Sequence, residues 1–440
     1  MQKSLLFVKQ EEKGEKMSQI NIRNQVNQHT QHSHALKIPR ILILGGGYGG
    51  LKTALTLQRS LPENKAQITM ISKHDYHYQT TLLHKVAIGT LSARKARIYY
   101  RKILDSSKVA FIKDKVLEIH PDKKKVICRR SGFEYDYLVI GLGFKPETFG
   151  IKGVDKYAYK LSSLNAAQKL AKNIENKFKD YIINQDPNDL HVIVCGTGFT
   201  SIEFAAELAT QLDDLCQICG INRAIPKVTC IGRSDHILPI FDDKLSKAAK
   251  HKLQKLGVEL ITNAEVIECQ NNGVVICKKD SQTQEFINGN TILWGAGVRG
   301  NDIVEKSPLA NKRGRIPVDP QLRSFEYPEI FVVGDCAFAT SKDVIHAPTA
   351  QLSAQMGDYV GRYLANLVLG KANKKDFHFV HRGTICSIGH TDGVGVVYSK
   401  RLKGEMAAFM KNTIENRWLF SIGGLSMVFR KGQFRYRTSS

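Results

Sequence analysis

Long apolar runs and acidic residues are scarce in this chain. No stretch reaches the roughly 18 consecutive apolar residues that cross a bilayer, and the longest candidate, Trp418 to Phe429, is interrupted by serine and glycine. We therefore expect no membrane-spanning helix. The 440 residues include only 41 acidic against 64 basic ones, a formal charge of +23. Such an excess suits nucleic acid, an anionic membrane surface or an acidic substrate. No helix-turn-helix, RNP-like or zinc-finger spacing is present, so we expect no nucleic-acid partner.

Cysteines are also few and follow no framework. There are nine, an odd and scattered number, which suits a reducing cytoplasm. The CxxC pair of Cys216 and Cys219 lacks the second pair that a zinc ribbon needs, and we interpret it as the end of a helix. We expect no metal site.

Two glycine-rich patterns carry most of the functional information. Ile41 to Leu44 leads into Gly45-Gly46-Gly47-Tyr48-Gly49-Gly50, and Val192 to Cys195 leads into Gly196-Thr197-Gly198-Phe199-Thr200-Ser201. Each joins a buried-type strand to a helix, the context in which GxGxxG binds a dinucleotide pyrophosphate at the helix N-terminus. Ser201 stands where the second copy should have its third glycine. The two copies predict two dinucleotide sites.

A third pattern distinguishes the two sites. Ile330 to Val333 is another buried-type strand, and Gly334-Asp335-Cys336-Ala337 follows it. In flavoproteins that bind two dinucleotides, this Gly-Asp step lies beside the flavin, and the Asp binds its ribityl hydroxyls. The similarity assigns FAD to the first fingerprint and a nicotinamide nucleotide to the second.

The order of the patterns predicts an α/β protein with two Rossmann-like dinucleotide-binding domains, the second inserted in the first. The first and second units end in similar strand-to-glycine segments, Tyr135 to Gly143 and Thr291 to Val298, which argues for two domains of one architecture. We expect a disordered tail over residues 1–37, an FAD domain over 38–153 and 319–398, a nucleotide domain over 154–318, and a C-terminal membrane-association segment over 399–440.

The positions of the cysteines narrow the choice of electron acceptor. No cysteine occurs between Gly50 and Cys128, which excludes the CxxxxC pair of soluble disulfide reductases. Cys195 and Cys336 do not resemble the catalytic pair of sulfide:quinone oxidoreductases. The electrons must therefore leave the flavin by another route.

Over nearly all of residues 38–430 the chain resembles the type II NADH:quinone oxidoreductases, the non-pumping respiratory dehydrogenases. The motifs that carry the resemblance are Tyr76-His77-Tyr78 with Leu82-Leu83, Gly196 to Glu203 with Phe204, Trp294 to Gly300 with Asn301, Gly334 to Ala337, and Ala350-Gln351-Leu352-Ser353-Ala354-Gln355, which fits the family's AQxxxQ quinone pattern.

The resemblance implies non-covalent FAD, NADH or NADPH as hydride donor and a menaquinone-like quinone as acceptor. It implies a homodimer on the cytoplasmic face of the cell membrane. The implied catalytic residues are Glu203, Gln351 and Gln355, with Glu203 aiding proton delivery and the glutamines binding the quinone carbonyls. The implied FAD contacts are Gly45, Gly47, Tyr48, Gly49, Gly50, Lys73, Thr81, Val116, Gly334, Asp335, Ala350 and Gln351. The implied nucleotide contacts are Gly196, Gly198, Phe199, Thr200, Glu203, Arg233, Ser234, Ala296 and Gly297.

The sequence departs from the fingerprint after Val228 to Ile231, where an acid normally binds the ribose 2′-hydroxyl of NADH. Here Gly232, Arg233 and Ser234 follow. Arg233 could pair with a 2′-phosphate, so we expect NADPH to be accepted; the alternative is a solvent-facing arginine in an NADH enzyme. The FAD half likewise has Ser72-Lys73-His74 in place of the ribose-binding acid.

The C-terminal segment has the composition of an interfacial helix. Residues 400–440 carry nine Lys or Arg and two Glu. Apolar side chains from Met406 to Ile414 recur at helical spacing, Lys411 and Arg417 lie off that face, and Trp418 to Phe420 extend it. We expect this helix to lie on an anionic membrane surface; a core-facing helix has the same spacing.

Two other functions stay open at this stage. A soluble NAD(P)H oxidase or ferredoxin-type reductase could share the architecture, and so could a redox-responsive binding protein that signals by conformation. Turnover that requires quinone separates the leading interpretation from both.

Overall fold

The computed structural model describes residues 38–341, 344–373 and 375–434. The predicted N-terminal tail lies outside the described residues.

A five-stranded parallel sheet holds the first fingerprint. Its order is Ile330–Val332, Tyr137–Ile140, Arg40–Leu44, Gln67–Ser72 and Val109–Lys113. The strand from the first fingerprint, Arg40–Leu44, lies in the centre and is buried along its apolar residues, as expected for a sheet covered on both faces. The strand that precedes Asp335 is its edge strand, so the Gly-Asp step returns to the sheet of the first fingerprint.

A second five-stranded parallel sheet holds the second fingerprint. Its order is Ala158–Tyr159, Thr291–Trp294, His191–Cys195, Lys227–Ile231 and Val258–Ile261. All of its strands come between the fourth and fifth strands of the first sheet along the chain. The two predicted Rossmann-like sheets are therefore present.

Ten α-helices accompany the sheets within the described residues. They are α1 Tyr48–Ser60, α2 Leu83–Ile88, α3 Ala93–Ala96, α4 Val154–Tyr157, α5 Leu164–Asn184, α6 Phe199–Cys219, α7 Asp243–Lys255, α8 Asp302–Glu305, α9 Ala350–Val368 and α10 Glu405–Lys431. Cys216 and Cys219 fall in the last turn of α6, as the sequence predicts. None of the described helices combines the length and hydropathy needed to cross a bilayer.

Smaller sheets complete the fold, all antiparallel except the pair of Ile316–Pro317 and Ala337–Phe338, which is parallel. Those with three strands are Val116–His120 with Lys125–Cys128 and Gly132–Glu134; Ala264–Gln270 with Gly273–Lys278 and Gln284–Asn288; and Gly383–Ile388 with Asp392–Val397 and Lys400–Lys403. Two-stranded pairs join Tyr76–His77 to Ile98–Tyr99, Lys145–Pro146 to Val298–Arg299, Ile316–Pro317 to Ala337–Phe338, and Thr340–Ser341 to Val344–Ile345.

Helices α1 and α9 cross at very short range. A Cβ on Gly357 of α9 would lie 2.2 Å from the carbonyl oxygen of Gly49 on α1, and a Cβ on Gly361 would lie 2.7 Å from the Cβ of Thr56. Only glycine permits this approach, because any side chain would overlap the facing helix. The crossing fixes the start of α9, and with it Ala350 and Gln351, beside the first fingerprint.

Helix α10 packs against the sheet formed by Gly383–Ile388, Asp392–Val397 and Lys400–Lys403. Its inner face is buried at Ala407, Ala408, Asn412, Glu415, Leu419 and Ile422. Gly424, with φ 66° and ψ −165°, kinks the helix. The C-terminal segment is therefore an integral part of the fold along most of its length.

Candidate functional site

The first fingerprint has the geometry of a phosphate-binding turn. Gly45 has φ 94°, and a Cβ there would lie 2.2 Å from the carbonyl oxygen of Gly141. A Cβ on Gly50 would lie 2.0 Å from the carbonyl oxygen of Gly45, whereas one on Gly47 would meet nothing within 4 Å. Gly45 and Gly50 thus serve packing, and Gly47 leaves open space at the N-terminus of α1, where free N–H groups attract a pyrophosphate.

The second fingerprint repeats this geometry with one compensation. Gly196 has φ 123°, and a Cβ on Gly198 would again meet nothing within 4 Å. Ser201 replaces the third glycine, and its Oγ would lie only 2.3 Å from a Cβ on Gly295. The serine fits because position 295 carries no side chain. The irregular sequence therefore forms a regular turn.

One cavity of about 1210 Å³ adjoins the first fingerprint. Of the predicted FAD contacts, all but Gly50 line it; Gly50 lies behind the turn. Of the predicted nucleotide contacts, Phe199, Thr200 and Glu203 line the same cavity. Within the described residues, its lining does not include Gln355 or the remaining nucleotide contacts, Gly196, Gly198, Arg233, Ser234, Ala296 and Gly297.

Asp335 presents a carboxylate to this cavity. Burial raises the pKa of its carboxyl to about 6, against the opposite effect of the Arg315 guanidinium. A desolvated carboxylate of this kind is satisfied by hydroxyl donors. The Asp335 carboxylate can accept from the ribityl hydroxyls of an FAD, and the open space at Gly47 can hold its pyrophosphate. The residues present therefore fit this cofactor.

Glu203 forms the centre of a buried charged cluster at the cavity wall. Its Oε1 accepts from the Lys411 ammonium at 2.9 Å and from the Ser387 backbone N–H and hydroxyl, both at 3.1 Å. Its Oε2 lies 3.7 Å from His84 Nδ1. Burial acts to raise the pKa of Glu203, but Lys411 and His84 together hold it below its ordinary value.

Lys411 bridges Glu203 to Glu415 on the next turn of α10, with its Nζ 3.7 Å from Glu415 Oε1. Burial opposes the charged form of Lys411, yet the two carboxylates raise its pKa. Glu415 Oε2 also accepts from Gln79 Nε2 at 2.7 Å and from the Thr81 hydroxyl at 2.8 Å. The cluster is a pair of carboxylates that share one ammonium inside the protein.

Trp418 connects the same helix to the first fingerprint. Its indole N–H donates to His77 Nε2 at 3.0 Å, and His77 Nδ1 lies 3.1 Å from the carbonyl oxygen of Gly46. Burial lowers the pKa of His77 to about 4, so the ring is neutral and its Nδ1–H donates to Gly46. The Trp418 ring also lies 4.7 Å from that of Tyr48.

These contacts correct the sequence-based picture of α10. Lys411 was expected to meet lipid headgroups, and Trp418 and Leu419 were expected to extend an exposed apolar surface. Instead Lys411 points into the cavity, Trp418 binds His77, and Leu419 is fully buried. The sequence did contain one signal: Lys411 and Glu415 are spaced i, i+4, so an opposite-charge pair lies on one side of this helix.

The two predicted quinone glutamines bind the backbone of residues 380–383. Gln351 accepts from the Arg382 N–H at 2.8 Å and donates to the Gly383 carbonyl oxygen at 3.3 Å. Gln355 accepts from the Val380 N–H at 3.0 Å and donates to its carbonyl oxygen at 2.9 Å. Gln351 lies at the cavity wall, whereas the side-chain amide of Gln355 is hydrogen-bonded to the Val380 backbone.

Arg233 and Ser234 follow the strand Lys227–Ile231 as predicted. The Arg233 side chain is 68% exposed, and its Nη1 lies 3.9 Å from Glu265 Oε1. A Cβ on Gly232 would lie 2.4 Å from Thr197 Cγ2 and 2.6 Å from its Oγ1. Thr197 therefore occupies the space that an acidic residue at 232 would need.

Comparisons with known proteins agree with this geometry. Residues 39–354 match the family model of the pyridine nucleotide-disulphide oxidoreductases. The chain is 38% identical over 399 residues to the type II NADH:quinone oxidoreductases of Staphylococcus saprophyticus and Staphylococcus aureus, covering 90% of this chain and 98% of each relative. Its fold is similar to NDH2 from Plasmodium falciparum in complex with NADH, with a TM-score of 0.80, 20% identity, and coverage of 90% of this chain and 98% of that one.

Proposed function

The chain belongs to the type II NADH:quinone oxidoreductases, and from this premise we propose that its cavity brings FAD, a nicotinamide nucleotide and a quinone together. The enzyme oxidises NADH and reduces a quinone. Bound FAD supplies the redox chemistry by taking a hydride from the nucleotide and passing two electrons to the quinone, without proton pumping. The observation that carries the proposal is that both fingerprint regions, Glu203 and Gln351 line one shared cavity.

The FAD is held by the predicted contacts that line this cavity. Gly47 leaves space for the pyrophosphate, and the N-terminus of α1 attracts its charge. Asp335 accepts hydrogen bonds from the ribityl hydroxyls. Lys73, whose pKa is lowered by burial, binds at the adenosine end, where the usual acidic residue is missing.

Glu203 and Gln351 act on the substrates. Glu203, ionised at rest, accepts a proton and passes it on beside the nicotinamide and quinone sites. The Lys411 ammonium attracts negative charge that develops on the quinone oxygens. Gln351 donates to a quinone carbonyl. Gln355 lies outside the cavity wall, and its role is to position the backbone of residues 380–383 that Gln351 also contacts.

NADPH is a second hydride donor. The second fingerprint binds the pyrophosphate through Gly196, Gly198, Phe199 and Thr200, with Ala296 and Gly297 near the nicotinamide. The chain has no acid at position 232 to repel a 2′-phosphate, and Arg233 and Ser234 supply donors for it.

The exposed face of α10 rests on an anionic membrane. Its apolar side chains include several that are between 46% and 77% exposed, namely Met406, Phe409, Phe420, Leu425 and Phe429. Arg430 and Lys431 follow at its end, and Lys431 donates to the carbonyl oxygen of Arg94 on α3. Apolar contact area flanked by cations is what an interfacial helix needs.

The remaining features follow from the family. We assign the FAD domain to 38–153 and 319–398, the nucleotide domain to 154–318 and the membrane segment to 399–440. The assembly is a homodimer on the cytoplasmic face of the cell membrane, and the acceptor is menaquinone-like. Analytical ultracentrifugation and turnover with menaquinone and ubiquinone analogues test the assembly and the acceptor.

Anaerobic stopped-flow spectroscopy tests the central proposal. NADH should bleach the flavin absorbance, and a menaquinone analogue should restore it. Glu203→Gln should lower kcat with quinone about tenfold or more, because it removes an acid–base group from the reacting atoms. Glu285→Gln, which alters an exposed carboxylate paired with Lys278, is the matched control. Reoxidation by oxygen but by no quinone would contradict the proposal.

A further inference from the structure

A line of buried titratable side chains runs from the cavity towards the surface. Helix α6 places Glu203 and Glu207 one turn apart, so both lie on one face. His84 Nδ1 lies 3.7 Å from Glu203 Oε2, and the carboxylates of Glu203 and Glu207 both act on its ring. His390 Nε2 lies 3.3 Å from Glu207 Oε1. His84 and Glu207 side chains are 2% exposed, whereas that of His390 is 30% exposed.

Three atoms on this line lack a hydrogen-bond partner among the described residues. They are His84 Nε2, Glu207 Oε2 and His390 Nε2, and all three are enclosed. Leaving such a group unsatisfied costs about 1–3 kcal/mol. All three atoms belong to groups that can gain or lose a proton.

The charges around His84 favour its neutral ring, which is the form that can transfer a proton. Burial lowers the pKa of His84, and Lys85 and Lys411 reinforce this against the pull of Glu203 and Glu207. A neutral imidazole has one N–H donor and one acceptor nitrogen, the form that can pass a proton through its ring.

The outer end of the line is a partly exposed histidine. Burial acts to raise the pKa of Glu207, but its contacts with His390, His84 and Lys85 hold it at about 2. The nearby Glu207 carboxylate raises the pKa of His390, with Asp214 assisting and Lys85 opposing. The ionised carboxylate of Glu207 thus favours the protonated form of His390, and 30% of the His390 side chain is exposed to solvent.

We propose that His390, Glu207, His84 and Glu203 form a path that carries a proton from solvent to the quinone. The inference rests on the proposed function. Reduction of a quinone to a quinol needs two electrons and two protons. The hydride brings both electrons and one proton, so one proton per turnover must come from solvent.

Each transfer breaks one bond to hydrogen and forms another. The His390 N–H proton passes to Glu207. Glu207 delivers it to His84 Nε2 through a bridging water, because no hydrogen bond joins the two side chains directly, while His84 Nδ1–H gives its proton to Glu203. Glu203 passes it to the quinone oxygen, with Lys411 beside it at 2.9 Å. His390 then takes a proton from water, and the His84 ring returns to its first tautomer. No group is left oxidised or reduced.

His390→Gln tests the path at its partly exposed end, where a side chain of similar size should not disturb folding. We expect kcat with quinone to fall about tenfold and flavin bleaching by NADH to change less than twofold, because only the quinone step needs the solvent proton. Added imidazole should restore at least half of the loss. Glu207→Gln should give an equal or larger loss.

His120→Gln is the matched control. His120 is 38% exposed, and its Nε2 pairs with Glu118 Oε2 at 2.9 Å, outside the cavity lining. Its kcat should equal that of the unaltered enzyme. Equal kcat values and pH profiles for His390→Gln and His120→Gln would overturn the path.

Histidine titration by nuclear magnetic resonance gives a readout without turnover. In the protein without substrates, the pKa of His390 should lie above its ordinary value and fall in Glu207→Gln, and the His84 ring should stay neutral near pH 7. A His390 ring that titrates identically in both proteins would overturn the path. If the unaltered protein reduces no quinone, the proposed function fails first, and the path fails with it.

Discussion

Arg233→Ala tests the nucleotide site directly, because Arg233 stands beside the position where an acid normally binds the ribose 2′-hydroxyl. Its guanidinium is 68% exposed and only loosely paired, with Glu265 at 3.9 Å. It is therefore free to turn to a 2′-phosphate without breaking a close ion pair. NADH has no phosphate there and should be little affected by its loss.

The size of the effect follows from this exposure. A hydrogen bond to a charged group contributes about 1.5–3 kcal/mol, and solvent screening places an exposed arginine at the lower end. About 1.4 kcal/mol corresponds to tenfold. We expect Arg233→Ala to lower kcat/KM for NADPH about tenfold and that for NADH less than twofold.

A second variant reverses the preference. Gly232→Glu alone should fail to restore the usual ribose-binding acid, because a Cβ at 232 would lie 2.4 Å from Thr197 Cγ2. In Gly232→Glu with Thr197→Ala the two overlapping atoms, Thr197 Cγ2 and Oγ1, are removed, and the remaining Cβ at 197 stands 3.1 Å away. This double variant should favour NADH, and Thr197→Ala alone is its control.

The assay is steady-state turnover with a fixed quinone and each nucleotide at low ionic strength. A kcat/KM of the unaltered enzyme a hundredfold lower for NADPH than for NADH would exclude the assigned role of Arg233. An equal loss for both nucleotides in Arg233→Ala would exclude it as well.

Three further outcomes are expected. Lys411→Met leaves two buried carboxylates without their cation, so the free energy of unfolding should fall by about 3–5 kcal/mol. In thermal denaturation this loss should grow between pH 5 and pH 8, because the carboxylates become more fully ionised. A variant as stable as the unaltered protein at pH 8 would contradict this prediction. Burial lowers the pKa of His77 from 6.5 to about 4, so below pH 6.5 the unfolded chain binds a proton that the folded chain does not. The contribution of His77 to the free energy of unfolding should be full above pH 6.5 and fall by about 3 kcal/mol towards pH 4. His77→Gln should flatten that part of the stability profile. Leu425→Ser with Phe429→Ser should weaken binding to anionic vesicles at least about tenfold without slowing reduction of a soluble quinone. Leu367→Ser, at a 39% exposed position on α9, is the control. Unchanged vesicle binding by the double variant would count against the membrane face.

The elements that the sequence predicted well are those set by neighbouring residues. A strand, a glycine turn and a helix start lie within about a dozen positions, so Gly45, Gly47, Gly196 and Gly198 could be placed without knowledge of the fold. The Gly-Asp step at Asp335 was equally local. Its membership of the first sheet, through the strand Ile330–Val332, followed from the family and is confirmed.

The residues that the sequence missed come from distant parts of the chain. Trp418 binds His77 across 341 positions, and Glu415 accepts from Gln79 across 336. No local pattern shows that these side chains meet. Lys411 was misread for the same reason: a cation on an amphipathic helix is typical of a membrane surface, and only its contact with Glu203 places it in the cavity.

The sequence by itself determined the family of this protein and its two dinucleotide turns, and it predicted a carboxylate for the flavin and a glutamine pair for the quinone. Each of these features is encoded by residues close together in the chain. The tertiary structure alone decided how the cavity is closed and charged. The irregular Ser201 is accommodated by Gly295, the absent acid at Gly232 is explained by Thr197, and the predicted membrane segment supplies Lys411 to the site. The physical reason is that steric fit and buried charge pairs depend on which surfaces are packed together, and that information is spread over the whole chain.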